Sequence, residues 1–326
     1  MLTKDFYSTI LSQTFSPCGN YLIAGDTYGR ISVFNLSKIV QTDVVLNKED
    51  LTPRNKITIN ENGQINSLLS TPSFLLVGVS DILGYNWKTI KSTTVQKPQP
   101  DWRIEIPNRK DSFENADINV MIHDKEKNHI FIGCGNNNIY VFDLETRRLL
   151  KTLNKHTDYL HSLCNNGTDL ISGGEDGVVN LWDIRTYKLT NKIVPHSNEA
   201  VARPELGKWI GGVSANEDYI LCGGGPKLSL WHYRFLTNST VFPINDRGIH
   251  VAEIHKEKIL AGGKSRLFYQ MSFVGEIVAE IAVSAVTTYS IAHQEHPFNT
   301  LCLAGSSPKI DVCANFMYKN QQLSLY

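Results

Sequence analysis

Several things are missing from these 326 residues: a Cys-x-x-Cys pair, an apolar stretch of bilayer length, a surplus of either charge, and more than a few prolines. Each absence excludes a class of protein. Because 32 Lys and Arg balance 32 Asp and Glu, no overall field draws in a polyanion or an acidic membrane, and any nucleic-acid contact has to be local. A bilayer crossing needs about 18–20 apolar residues, and the opening MLTKDFYSTI lacks the apolar core and cleavage site of a signal peptide. The expectation is an intracellular protein without membrane contact. Only 12 prolines against 23 glycines, with 41% hydrophobic residues, speak for a packed core and against disorder or a collagen-like repeat. The six cysteines (Cys18, Cys134, Cys164, Cys222, Cys302 and Cys313) lie mostly in apolar segments such as IFIGC, YILC and LCLAG. There they read as small buried hydrophobes, not as zinc ligands or a disulfide framework.

What is present is a repeat. Apolar residues, a glycine, a polar turn and a returning strand with a bulky residue near its end recur seven times, at Gly25, Gly78, Gly133, Gly173, Gly223, Gly262 and Gly305. Phe34, Trp87, Phe142 and Trp182 fall nine residues after their glycine, Trp231 and Cys313 eight after, and Tyr269 seven after. A further apolar-patterned strand precedes each unit and another follows, which makes four strands per unit. A four-stranded sheet buries neither face alone, so the pattern predicts an all-β chain of seven antiparallel sheets stacked radially into one β-propeller domain spanning 1–326. The chain should begin on an inner strand near Thr9–Phe15 and end on an outer one, Gln322–Tyr326. The seventh blade would then own all four of its strands, unless residues 1–8 supply an edge. Two insertions, 40–55 and 88–116, lengthen the repeat; QTDVVLNKEDLTPRN in the first and STTVQKPQPDW at the start of the second are polar and proline-marked as loops.

The fourth unit, KHTDYLHSLCNNGTDLISGGEDGVVNLWDIRT, resembles the WD40 family. That resemblance implies a buried tetrad of His156, Ser172, Asp176 and Trp182, holding the blade together by hydrogen bonds. A Ser, His and Asp set also suggests a hydrolase, but no G-x-S-x-G elbow accompanies it. The stretches SPCGNYLIAGDTYGRISVFNLS, SGGEDGVVNLWDIRT, RPELGKWIG from Arg203, CGGGPKLSLWHYR and TVFPI follow the order of the THO complex subunit 6 family over nearly the whole chain. That resemblance implies a nuclear WD40 scaffold of the THO/TREX assembly that couples transcription to mRNA processing and export. Its implied partners are other THO subunits, coiled-coil ones included, with an RNA helicase and export adaptors reached through them.

No phosphate-cradling G-x-x-x-x-G-K-[ST], no H-E-x-x-H and no spaced carboxylate cluster occurs. The CGGGPK run lacks the hydroxyl residue after lysine and sits on a hairpin, so it reads as a turn. The expectation is no catalysis and no cofactor. Binding is the alternative, because loops at the ends of a rigid sheet stack display side chains without disturbing it. Arg30, Lys227, Lys264, Arg266 and Lys309 follow turns at one end of the blades, with Arg203 and Lys208 on a nearby connection. These are candidate contacts for an acidic or phosphorylated partner segment, with weak, salt-sensitive RNA contact as a lesser possibility. Phe113, among polar neighbours in NRKDSFENA, is a candidate apolar anchor. A competing functional class comes from W-D-x-R at the end of the fourth unit. It resembles the motif by which some WD40 proteins dock on the adaptor of cullin-RING ubiquitin ligases, with Asp183 and Arg185 making the contact.

Overall fold

The computed structural model, described for residues 4–41, 44–61, 63–107, 116–244 and 247–326, is a seven-bladed β-propeller of four-stranded antiparallel sheets. The blades occupy residues 10–58, 67–104, 118–153, 160–193, 210–241, 249–282 and 288–324, and within each the four strands lie in chain order. Two compact units divide the chain: Met1–Glu105 with Ile281–Tyr326, and Ile106–Glu280.

Strand position within a blade explains strand composition. The second strand is covered on both faces, so it is a continuous apolar run, as in Tyr21–Asp26 and Thr300–Gly305, where almost every residue is buried. The fourth strand lines the rim and alternates with charge: in Lys188–Ile193 only Ile193 is fully buried. Between blades the side chains interlock. In the second unit, Phe131 and Val141 of blade three pack with Leu160 and Trp182 of blade four. Ile171 and Leu181 then meet Ile210 and Ile220 of blade five. A ring such as Phe131, with no exposed surface, contributes about 2–3 kcal/mol of burial.

The repeat glycines are required by close approach. A Cβ on Gly173 would come within 2.6 Å of Ile210 Cγ2, and one on Gly133 within 3.2 Å of Leu160 Cβ. The glycine lets the next blade's inner strand nest against the sheet. In the first unit, blade seven owns its four strands, while residues Lys4–Tyr7 form a 3-10 turn instead of an edge. Blades one and seven share a core of Ile10, Leu22 and Phe34 with Cys302, Ile310 and Leu323. Gln13 Nε2 donates to the Ser290 carbonyl at 3.1 Å.

Two positions in the bulky-residue register differ from expectation. Phe34, Phe142, Trp182, Trp231 and Cys313 each face the second residue of their blade's second strand. In blade two that place belongs to Tyr85, opposite Leu75, because the turn is two residues shorter; Trp87 instead opens a short helix, Trp87–Lys91. In blade six it belongs to Met271, opposite Ile259, while Tyr269 faces Ala261. Spacing from the glycine tracks turn length as well as strand register. Trp102 lies in an outer strand, its ring 5.5 Å from that of Phe74. The first insertion is closed by a Lys38–Asp50 ion pair at 3.3 Å.

Candidate interaction surface

The tetrad residues come from four places in blade four. His156 precedes the first strand, Ser172 lies in the second, Asp176 in the turn and Trp182 in the third. The structure brings all four together. His156 Nδ1 lies 2.9 Å from Asp176 Oδ2, His156 Nε2 lies 2.7 Å from Ser172 Oγ, and Trp182 Nε1 donates to Ser172 Oγ at 2.9 Å. With a neutral imidazole the donors run in one direction, from indole N–H to serine oxygen, serine O–H to Nε2, and Nδ1–H to the carboxylate. Asp176 also accepts the backbone N–H of Thr157 and of Val178. Burial raises its pKa, but these bonds and the His156 imidazole prevail and hold it below the usual carboxylate value. The connectivity matches that of a hydrolytic triad, yet Ser172 has no exposed surface and its oxygen already accepts the indole N–H. No substrate carbonyl reaches it.

Other blades meet the same demand differently. Trp231 Nε1 donates to Ser229 Oγ on its own strand at 2.9 Å. In blade seven, Ser284 gives both its N–H and its hydroxyl to Asp311 at 2.6 Å.

The basic candidates divide by environment. Arg30 pairs with Asp26 and with Asp5 inside its own unit. Arg203 donates from Nε to the Gly225 carbonyl at 2.7 Å and from Nη2 to those of Gly224 and Pro226 at 3.1 Å. It clamps the glycine turn from the preceding loop. Lys227 reaches the Ala200 carbonyl at 3.3 Å and is half-buried, as is Lys309. Lys208, Lys264 and Arg266 are exposed. Phe113 lies outside the described residues.

A row of rings that the sequence reading did not single out lies in the second unit. The inner strands of blades three to six each carry one extra residue near the same end: Asn119, His161, Gly211 and His250. Such bulges re-aim the side chain out of the sheet. Blade five has a glycine there, and the indole of Trp209 fills the space: a Cβ on Gly211 would lie 2.6 Å from its Cζ3. Trp209 Nε1 donates to the Leu206 carbonyl at 3.0 Å. Its ring stacks at 5.0 Å and 31° on His250 and meets His161 edge-on at 6.4 Å. His161 Nε2 is 2.8 Å from Glu175 Oε2. Burial, then the nearby His161 and Lys264, press the His250 pKa down to about 4, so this imidazole is neutral at pH 7.

The WD domain, G-beta repeat family profile matches residues 147–183, the blade that holds the tetrad. Over its whole length the chain is similar to the THO complex subunit 6 homolog of Danio rerio, 35% identical over 98% of this chain and 98% of that protein. It is also similar to THO complex subunit 6 of Homo sapiens, 33% identical over 98% of this chain and 94% of that one. The chain belongs to the THO complex subunit 6 family. A shorter similarity, 39% over 66 residues, covers 19% of this chain and 12% of the DDB1- and CUL4-associated factor 11 homolog of Caenorhabditis briggsae.

Against this family background the W-D-x-R motif has a local use. Asp183 Oδ1 accepts the backbone N–H of Arg185 at 2.7 Å and of Thr186 at 3.2 Å, closing the turn after the strand. The Arg185 guanidinium folds back onto the same carboxylate at 3.0 Å. That side-chain bond, first, and the backbone bonds hold the Asp183 pKa down to about 2.

One cysteine departs from the buried-hydrophobe expectation. Cys18 is exposed, with Ser16 Oγ at 3.3 Å and Lys91 Nζ at 3.7 Å from its sulfur. Burial raises its pKa, but the hydrogen bonds from Ser16 and Asn20 and the Lys91 charge prevail, and the thiol sits below its usual value. Burial raises the other five. Native-state alkylation followed by peptide mass mapping should therefore label Cys18 first. Lys91→Ala should slow that labelling by about two- to fivefold; faster labelling at Cys164 would contradict this.

Proposed function

We propose that the chain is a non-enzymatic WD40 scaffold subunit of a nuclear THO assembly, a single propeller over 1–326 that couples transcription to mRNA processing and export by holding other proteins. The observation that carries this reading is the similarity, over 98% of this chain, to proteins named THO complex subunit 6 and THO complex subunit 6 homolog. A buried Ser172 and His156 support a role without catalysis. Coiled-coil THO subunits would be direct partners, with the export helicase and adaptors reached through them. RNA contact would be weak, since Arg30 and Arg203 are engaged internally and few exposed cations remain on those turns. Of the basic candidates, exposed Lys264 and Arg266 are the best placed to meet an acidic partner segment.

Affinity purification from nuclear extract with quantitative mass spectrometry tests the reading. THO subunits should be recovered in stoichiometric amount, and Lys264→Glu with Arg266→Glu should lower that recovery by about fivefold. Recovery of a cullin-ligase adaptor in their place, lost on Arg185→Ala, would overturn it in favour of a ubiquitin-ligase receptor.

A further inference from the structure

The ring row of the second unit has the makings of a binding site that neither the family nor the tetrad explains. Polar groups flank an aromatic centre on both sides. On the blade-four side, Glu175 uses Oε2 for His161, and its side chain is 45% exposed. On the blade-six side stands exposed Lys264, whose backbone N–H is fixed by the Gly248 carbonyl at 3.0 Å. Between them Trp209 is half-buried, unlike the other four tryptophans, which are at most 9% exposed.

Three physical preferences converge. The face of an indole attracts a cation, and a planar guanidinium stacks on it better than an ammonium. The Glu175 carboxylate, held on the His161 ring that meets the indole edge-on, adds a charge-assisted bond to the same group. The imidazole beneath the indole is neutral at pH 7, so it does not repel the cation. Lys264 would oppose a second cation at the far end and favours an acidic residue there. A nucleic acid fits less well, because its phosphates would run past Glu175.

We propose that the His161–Trp209–His250 row, bounded by Glu175 and Lys264, docks an extended segment of a partner protein, taking an arginine over Trp209 against Glu175 and an acidic residue against Lys264. The bulges make the site possible: a regular strand at His161 and His250 would turn those rings into the sheet, and a side chain on Gly211 would expel the indole. The inference rests on reading this end of the blades as the docking end, but its test uses purified protein alone. A failed THO purification and a failed peptide titration are therefore separate results.

The protein is labelled with 5-fluorotryptophan, and Trp209→Phe identifies the Trp209 signal by ¹⁹F NMR. The probe is the blocked hexapeptide Gly-Arg-Gly-Gly-Glu-Gly. It should shift the Trp209 resonance saturably and leave those of buried Trp182 and Trp231 in place. Replacing its arginine by citrulline should abolish the shift. Glu175→Gln, which keeps an acceptor for His161, should weaken binding by about fivefold. No movement of the Trp209 signal, equal response to the citrulline peptide, or saturation by a uridine hexanucleotide in place of the peptide would each overturn the proposal.

Discussion

Replacing His156 with alanine should lower the melting temperature at pH 7 by about 3–9 °C. The imidazole makes two bonds in the interior of blade four, to Asp176 at 2.9 Å and Ser172 at 2.7 Å. Each bond is worth about 0.5–1.5 kcal/mol net, and stranding the buried Ser172 hydroxyl and part of the Asp176 carboxylate costs about 1–3 kcal/mol more. For a chain of this size each kcal/mol moves the midpoint by roughly 1.5 °C. Trp182→Phe keeps the ring in its cluster and removes only the N–H donated to Ser172, so it should cost less, about 1 kcal/mol. A His156→Ala variant that melts normally but loses one partner would show a recognition role and refute the structural one.

The acid limb of the same experiment has a definite sign. The folded-state pKa of Asp176 is lowered, so its contribution is fully present above the unfolded carboxylate value of about 3.9 and is lost as pH falls through the lower folded value. Part of that lowering comes from His156. The gap between wild type and His156→Ala should therefore narrow below about pH 4. Thermal melts from pH 7 down to pH 3 would show a constant gap if Asp176 drew nothing from the imidazole.

The architecture was legible because its cause is local and repeated. A strand covered on both faces has to be apolar throughout, and a glycine has to stand where the next inner strand nests, so Gly25, Gly133 and Gly173 announce their blades. The tetrad was legible for a similar reason, its four residues lying within one blade. Trp87 misses the register because spacing from glycine includes the turn, which is two residues shorter in blade two; in blade six Met271 keeps the nine-residue spacing, and Tyr269 stands out only because it is aromatic. Arg203 looked free because its partners are backbone carbonyls on a distant turn, and a carbonyl leaves no mark in a sequence. The ring row was hidden for both reasons. Its members come from three blades, and the bulges that aim them belong to strand register. The available trace was a histidine second in the inner strand, in YLHSL and again in GIHVAEI.

The other large effect falls on the CGGGPK turn. Gly224→Ala should destabilise the protein by about 3–5 kcal/mol, because the added Cβ would land within the radius of the Trp209 carbonyl oxygen, and neither backbone can yield cheaply. Gly224 N–H already bonds to the Pro226 carbonyl, and Gly225 N–H to that of Trp209. These amides are committed to the fold, which is why the glycine run serves close strand approach and not phosphate binding. Gly135→Ala is the matched control: its Cβ would meet nothing nearer than Asp117 at 3.8 Å, and its φ is not left-handed, so stability should change by less than about 1 kcal/mol. Chemical denaturation of the two variants tests the contrast. Because Gly224 presses on the Trp209 backbone, the Gly224→Ala protein, studied below its melting point, should also displace the indole from His250 and weaken the hexapeptide response. A Gly224→Ala protein as stable as the Gly135→Ala control would mean that the turn and the Trp209 strand can part without cost, and the ring row would lose its rigid support.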